Sequence, residues 1–138
     1  MQVIQADTVS VDDSDPAVIV VGFTENEPTT GVVCHYLLLT RSHEFDDQDV
    51  RLEMADVYIE LDDQRHSCYG GITRFRLYRD RAHALFDETA ARHLGDVGAV
   101  EVRLDAGEDQ FGRLRDGLRR VFQGFACYED ASVGGHRG

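Results

Sequence analysis

The sequence of 138 residues contains no lysine, few cysteines and no long apolar run. A membrane-spanning helix needs about 20 consecutive apolar residues, and no window of this chain approaches that length. The N-terminus also lacks a basic region followed by an apolar run and a small-residue cleavage site, so no secretory signal is predicted. We therefore expect a cytoplasmic protein with no membrane contact.

The three cysteines indicate a reducing compartment. Cys34, Cys68 and Cys127 form no C-x-x-C pair, and an odd number in a chain of this size cannot make a closed disulfide framework. Cys34 lies in an apolar run and is predicted to be a small core residue. Cys68 lies in a polar stretch where its thiol could be accessible, and the sequence leaves its reactivity open.

Positive charge is scarce in this chain. All 14 basic residues are arginines, against 26 acidic residues, and the formal net charge is −12. Neutralising nucleic-acid phosphates requires a positive field, so nucleic acid is not an expected partner. Surplus negative charge keeps a protein soluble, and it also speeds the encounter with a basic partner. Composition alone leaves both roles open.

Alternation of apolar and polar residues predicts most of the strands, because side chains of a strand point to opposite faces in turn. Two early runs are instead apolar throughout. Residues 17–23 predict a buried strand paired antiparallel with an edge strand at 2–11. Residues 32–40 predict a central strand covered on both faces. The later predicted strands are residues 57–62, 74–78, 82–87 and 99–104.

Two segments have helical character. Residues 88–94 predict one or two helical turns, which Gly95 ends. Residues 107–123 predict an amphipathic helix, because apolar side chains recur every three or four positions. Asp105 and the glutamate three positions later match a capping box. Gly117 either costs the helix up to about 1 kcal/mol relative to alanine or marks close packing against the sheet.

The predicted fold class is α+β: a mainly antiparallel, curved sheet of about six or seven strands packed against the C-terminal amphipathic helix. The length of the chain predicts one domain, residues 1–126. A flexible polar tail at residues 127–138 is expected to follow it.

Two acidic segments interrupt the predicted strands and are the expected recognition loops, because loops carry specificity while the sheet holds them in place. One is residues 41–54, which contains Glu44, Asp46 and Asp47. The other is the polar stretch 62–71, which ends in two glycines that allow the chain to turn.

These segments contain no recognised catalytic or metal-binding motif. A mixed oxygen and nitrogen site can be drawn from Asp62, Asp63 and His66, but the chain has no zinc spacing and no calcium loop. Ser67 follows His66 directly, and adjacent side chains of an extended segment point apart, so they do not form a catalytic pair. We predict a non-catalytic protein without a metal or cofactor.

Four short motifs stand in order along the middle of the chain: Y-L-L-L-T-R-S at 36–42, E-F-D-D-Q-D at 44–49, Y-I-E-L-D-D-Q at 58–64 and S-C-Y-G-G-I at 67–72. Together with the R-L-Y-R-D that follows, they resemble the immunity protein 10 family of bacterial polymorphic-toxin systems. The resemblance implies a small cytoplasmic α+β protein that binds and neutralises a toxin domain.

The resemblance also implies a contact surface of acidic and aromatic residues for the toxin effector domain. Glu60 is expected to pair with Arg74 or Arg76 across a hairpin, where it would help to set the strand register or, as the resemblance implies, form part of the charged surface presented to the toxin. The alternative function is a small regulatory or ligand-binding domain unrelated to toxins. The predicted partner-binding residues are Glu44, Asp46, Asp47, Tyr58, Asp62, Asp63, Arg65, His66 and Tyr69.

Overall fold

The computed structural model describes residues 1–15, 17–42 and 56–132 of the chain. These residues form ten strands and two helices, and the fold class is α+β, as predicted. None of the described helices is both long and apolar enough to cross a membrane. The strands are β1 (Gln2–Ala6), β2 (Thr8–Asp15), β3 (Val18–Asn26), β4 (Val33–Ser42), β5 (Tyr58–Leu61), β6 (Asp63–Tyr69), β7 (Ile72–Leu77), β8 (Arg81–Phe86), β9 (Ala99–Leu104) and β10 (Tyr128–Asp130); the helices are α1 (Glu88–His93) and α2 (Glu108–Val121).

The described strands form two five-stranded sheets, not the single sheet that the sequence predicts. Sheet A has the strand order β1-β9-β8-β7-β10, and sheet B has the order β2-β3-β4-β5-β6. Sheet B is an antiparallel meander, whereas sheet A has a parallel strand at each edge. The single-sheet prediction is wrong because the chain passes from one sheet to the other at Asp7 and again at Gly70 and Gly71.

The first of these crossings divides the predicted edge strand at residues 2–11. The backbone N–H of Asp7 donates to the carbonyl of Thr24 at 3.0 Å, and its carboxylate accepts from the N–H of Asn26 at 2.8 Å. β1 therefore pairs in parallel with β9, and only β2 pairs antiparallel with β3. At the second crossing the two glycines have φ angles of +77° and +95°, which other residues rarely adopt.

Strand β4 is the middle strand of sheet B, but the sequence prediction that both of its faces are covered is wrong. Leu37 and Leu39 are fully buried on the inner face, whereas Tyr36 and Leu38 are only half-buried on the outer face. Cys34, predicted to lie in the core, is exposed near the start of the strand. The run is apolar throughout, but α2 packs on only one side of the sheet.

Helix α2 covers the inner face of sheet B, where it packs against β2, β3 and β4. Its predicted apolar stripe is buried, and Leu114 and Leu118 have no exposed surface. A Cβ atom at Gly117 would lie only 2.9 Å from a methyl carbon of Val11 and 3.2 Å from one of Val21. Of the two readings of this glycine, the structure supports close packing.

The ends of the helices differ in how well the sequence predicts them. Helix α1 begins after Asp87, whose carboxylate accepts from the N–H of Ala90 at 2.8 Å, and Gly95 follows its end with φ +78°, as expected. Helix α2 begins after Gly107, which makes no side-chain capping hydrogen bond. The capping box predicted at Asp105 is therefore wrong, because the helix starts two residues later.

The stretch 62–71 is not the polar loop that the sequence predicts. Most of it forms β6, which pairs antiparallel with β5 at the edge of sheet B. A strand at the edge of a sheet has one solvent-facing side, so polar and charged side chains suit it. The polar composition reflects that edge position.

Part of the segment that the sequence predicts to be a flexible tail, residues 127–138, forms a strand instead. Tyr128–Asp130 form β10, and the carbonyl of Cys127 accepts from the N–H of Phe75 at 2.9 Å. The ring of Tyr128 stacks on that of Phe122 with centroids 5.2 Å apart. The last six residues of the chain lie outside the described residues.

Candidate functional site

The outer face of sheet B, opposite α2, presents a group of aromatic and polar side chains from β4, β5 and β6. In the strand register, Tyr58 lies opposite Tyr69 and Glu60 lies opposite Ser67. Side chains two residues apart on a strand share a face, so these four point outward together. With Tyr36 of β4 they form a surface that we call the tyrosine face.

Glu60 is the centre of the tyrosine face. Its side chain is only 8% exposed, and it is the one buried charged residue among those the structure describes. Its carboxylate accepts hydrogen bonds from the hydroxyls of Tyr36 and Tyr58, the latter at 2.7 Å. Burial, followed by the hydrogen bond to Glu60, raises the pKa of both phenols. The hydroxyls therefore remain donors, and two tyrosines are held by one buried acid.

A second aromatic contact extends this arrangement to the edge of the sheet. The rings of Tyr58 and Tyr69 have centroids 5.3 Å apart and are tilted by 58°, within the range of favourable aromatic pairs. Tyr69 is 49% exposed. The tyrosine face thus has a fixed centre and an exposed ring at its edge.

An exposed ion pair borders the tyrosine face on β6. Asp63 and Arg65 are 3.1 Å apart, and the Arg65 side chain is 84% exposed. The side-chain hydrogen bond from Arg65 is the main cause that lowers the pKa of Asp63. Surface pairs of this kind add little stability, so both groups are available to a partner.

Two of the predicted partner-binding residues have other positions. Asp62 has φ +65° in the turn between β5 and β6, and its carboxylate accepts from the N–H of Tyr36 at 2.9 Å and from the side-chain amide of Gln2 at 2.8 Å. The ring of His66 lies against Gly95, after α1, where an added Cβ would be 3.1 Å from the ring. Asp62 therefore holds a turn, and His66 points away from the tyrosine face.

The structure brings four predicted residues together as two pairs, the rings of Tyr58 and Tyr69 and the ion pair of Asp63 with Arg65 on the same edge strand as Tyr69. The other three, Glu44, Asp46 and Asp47, lie outside the described residues. The list of predicted partner-binding residues omitted Tyr36, Glu60 and Ser67, and for Glu60 the register role was preferred. Alternation along β5 could have placed Glu60 beside Tyr58, but its bonding to Tyr36 depends on the register of two neighbouring strands.

The tyrosine face lies within the part of the chain that matches a known family. A family model described as Immunity protein 10 matches residues 5–112. The chain belongs to the immunity protein 10 family. Among curated proteins, none matches the chain.

In this immunity protein 10 family member a cleft of about 550 Å³ adjoins Tyr69 at the crossing between the sheets. The cleft is lined by Asp56, Ser67, Cys68, Tyr69, Gly70, Gly71, Asp87, Thr89, Ala90 and His93. Burial, then the charges of Asp87 and Asp56, raises the pKa of the Cys68 thiol. A raised pKa disfavours the thiolate, which is the nucleophilic form of a cysteine.

The described part of this family member also shows no arrangement suited to holding a metal. No group of three or more histidine, cysteine, aspartate or glutamate side chains there could bind an ion. The tyrosine face itself consists of ordered aromatic rings, one buried acid and an exposed charged border.

Proposed function

We propose that this immunity protein 10 family member is a non-catalytic protein that binds and neutralises a cognate bacterial toxin domain in the cytoplasm, and that the toxin contacts the tyrosine face. Membership of the family supports the role. The observation that carries the choice of surface is the buried Glu60, which holds the hydroxyls of Tyr36 and Tyr58 on the outer face of a sheet.

A buried acid on an outer sheet face is unusual unless its hydrogen bonds serve a purpose, because taking a carboxylate out of water is costly. Here the two phenols satisfy it. The result is a set of rings whose freedom is already restricted before a partner arrives. Ordering side chains on binding costs about 0.5–1.5 kcal/mol for each flexible one, so preordered tyrosines favour tight association.

Tyrosine is also one of the residue types that most often dominates interface energetics. Tyr69 contributes an exposed ring in contact with Tyr58, and Asp63 adds a carboxylate at the border. With a net charge of −12, the protein attracts a basic toxin domain at long range. A complex that covers about 800 Å² on each partner would occlude the toxin's active site.

The test is co-expression with a candidate toxin domain, scored by cell survival and by the Kd of the purified complex. Tyr69→Ala is expected to raise Kd by about 30-fold or more, since interface tyrosines of this kind contribute about 2 kcal/mol or more. The matched control is Tyr78→Ala, which removes the same side chain from the turn between β7 and β8 of the other sheet and should leave Kd unchanged.

Each outcome has a distinct meaning, provided that circular dichroism shows folded variants. An unchanged Kd for Tyr69→Ala, together with weaker binding of the toxin by Tyr78→Ala, would place the toxin on the other sheet. Failure of the wild-type protein to form any complex with a folded, toxic domain would refute the immunity role. In that case a ligand-binding domain is the remaining prediction, with the cleft beside Gly70 and Gly71 as its site.

A further inference from the structure

The outer face of sheet A has a different chemistry from the rest of this acidic protein. Four of the chain's arginines point outward from it: Arg74 and Arg76 on β7, Arg81 on β8 and Arg103 on β9. Their inward neighbours on the same strands are buried, which fixes the direction of these side chains. We call this surface the arginine face.

Acidic residues neutralise the arginine face only in part. Arg76 pairs with Glu129 at 3.0 Å. Glu101 accepts from Arg103 at 2.8 Å and lies 3.0 Å from the ring of His83. Arg74 is exposed and has no ion-pair partner in the described part of the chain.

The strand register adds a second indication. Arg81 and Arg103 are directly opposite each other in the antiparallel pairing of β8 and β9. Like charges in this position destabilise a sheet. The charge of Arg81 is partly compensated by the carboxylate of Asp80 at 2.8 Å and by the ring of Tyr78, whose centroid is 4.1 Å away. Two arginines held opposite each other also offer adjacent donors to the carboxylates of a negative partner.

The arginine face also exposes apolar side chains. Leu85 is 42% exposed, Val3 37% and Met1 81%. Met1, Arg74, Leu85 and Ala99 border a shallow hollow of about 140 Å³, a volume that suits one apolar side chain. Apolar residues bordered by arginine are typical of protein interfaces.

We propose that the arginine face is a second docking surface, which binds an acidic protein segment whose apolar side chain enters the hollow beside Leu85. Arginine suits this partner because its planar guanidinium donates two parallel hydrogen bonds to one carboxylate. The acidic residues elsewhere on the molecule do not prevent the contact, since charges more than about 8 Å away are largely screened at physiological salt.

The charges of this face favour an acidic protein over nucleic acid. A phosphate backbone tracking across the sheet would meet the carboxylates of Glu101 and Glu129, which lie in the same row as Arg76. A peptide can instead place its carboxylates at Arg74, Arg81 and Arg103 and its apolar side chain between them. This surface is separate from the tyrosine face, so it does not depend on toxin binding there.

The experiment measures fluorescence anisotropy of a labelled peptide of alternating glutamate and leucine with the full-length protein. Two further probes are the peptide with lysine in place of glutamate and a single-stranded oligothymidine. We expect the acidic peptide to bind most tightly of the three probes. Arg74→Glu should lower its affinity about tenfold, because an attraction becomes a repulsion. Arg92→Glu, an equal charge change at a 68% exposed site on α1, should have little effect.

Several results would overturn the proposal. These are equal binding of the acidic and lysine peptides, tighter binding of the oligothymidine, or equal effects of Arg74→Glu and Arg92→Glu. Self-association that Arg74→Glu abolishes in sedimentation runs would assign the face to a second copy of this chain and would also overturn it. If Arg74→Glu unfolds at a lower temperature than the wild-type protein, Arg74→Ala replaces it, because alanine adds no repulsion. This variant should also lower the affinity for the acidic peptide.

Discussion

Replacing Gly117 by alanine tests the packing of α2 on sheet B. In a helix with open surroundings, glycine to alanine stabilises by about 1 kcal/mol. At this position the new Cβ would lie 2.9 Å from a methyl carbon of Val11 and 3.2 Å from one of Val21. Overpacking of a core costs about 1–3 kcal/mol. Val21 is fully buried, which leaves it little room to shift, so we expect a net loss of about 1 kcal/mol.

The same helix supplies the control. Gly112 is five residues earlier, and a Cβ there would have nothing within 4 Å. Gly112→Ala should therefore stabilise the protein by about 0.5–1 kcal/mol through helix propensity alone. The same substitution at two positions of one helix is thus expected to change the free energy of unfolding in opposite directions. The two variants should differ in this free energy by about 2 kcal/mol.

Urea unfolding followed by circular dichroism measures both free energies of unfolding. A difference of 2 kcal/mol would separate the two melting temperatures by about 6 °C in a protein of this size. Equal stabilisation by both substitutions would refute the close packing of Gly117 against β2 and β3. Equal destabilisation would instead show that α2 needs glycine at both positions for another reason.

Two further predictions concern single side chains. Burial tends to raise the pKa of Asp130, but hydrogen bonds from Ser132 and Arg115 outweigh it, and the pKa is lowered. The stability from this carboxylate is therefore present above the ordinary carboxyl pKa and lost as pH falls through the lower folded-state value. Asp130→Asn should lower the free energy of unfolding by about 2 kcal/mol at neutral pH and by much less near pH 2. Equal shifts of the urea midpoint at both pH values would contradict this. Cys34 is exposed, whereas the other two thiols are half-buried. Cys34→Ser should therefore remove the fast phase of the reaction with Ellman's reagent at pH 8. A fast phase that persists would show that another thiol is accessible.

Local pattern was sufficient for much of the fold. Alternation placed the strands β5, β7, β8 and β9, helical spacing placed α2, and the stop at Gly95 helped to place α1, because each signal depends on residues within a few positions. Sheet membership has no such local signal. Gln2 pairs with Val100, and nothing in the sequence around either residue specifies the other.

Polarity misled the interpretation of two elements for the same physical reason. β6 was expected to be a loop because its side chains are polar, and β4 was expected to be covered on both sides because its side chains are apolar. In both strands the deciding factor is the position in the fold, since α2 packs on only one side of β4 and β6 lies at the edge of sheet B. Composition reports the average environment of a strand, not that of each face.

In the candidate site, too, some residues could be predicted from the local sequence and others depend on the strand register. Tyr58, Tyr69, Asp63 and Arg65 could be selected from residue type and position near a turn. The role of Glu60 could not, because its expected partner was an arginine across a hairpin. Its actual partners come from the registers of β4 with β5 and of β5 with β6.

The pairing of the first strand with the ninth has a consequence for folding during synthesis. Sheet B consists of consecutive strands, so its hydrogen bonds can form as the ribosome releases each hairpin. Sheet A cannot be completed until β9 has emerged to meet β1, and β10 follows later still. Contacts between distant parts of a chain slow folding. We therefore expect the tyrosine face to be assembled early and the arginine face to be the last surface of the molecule to form.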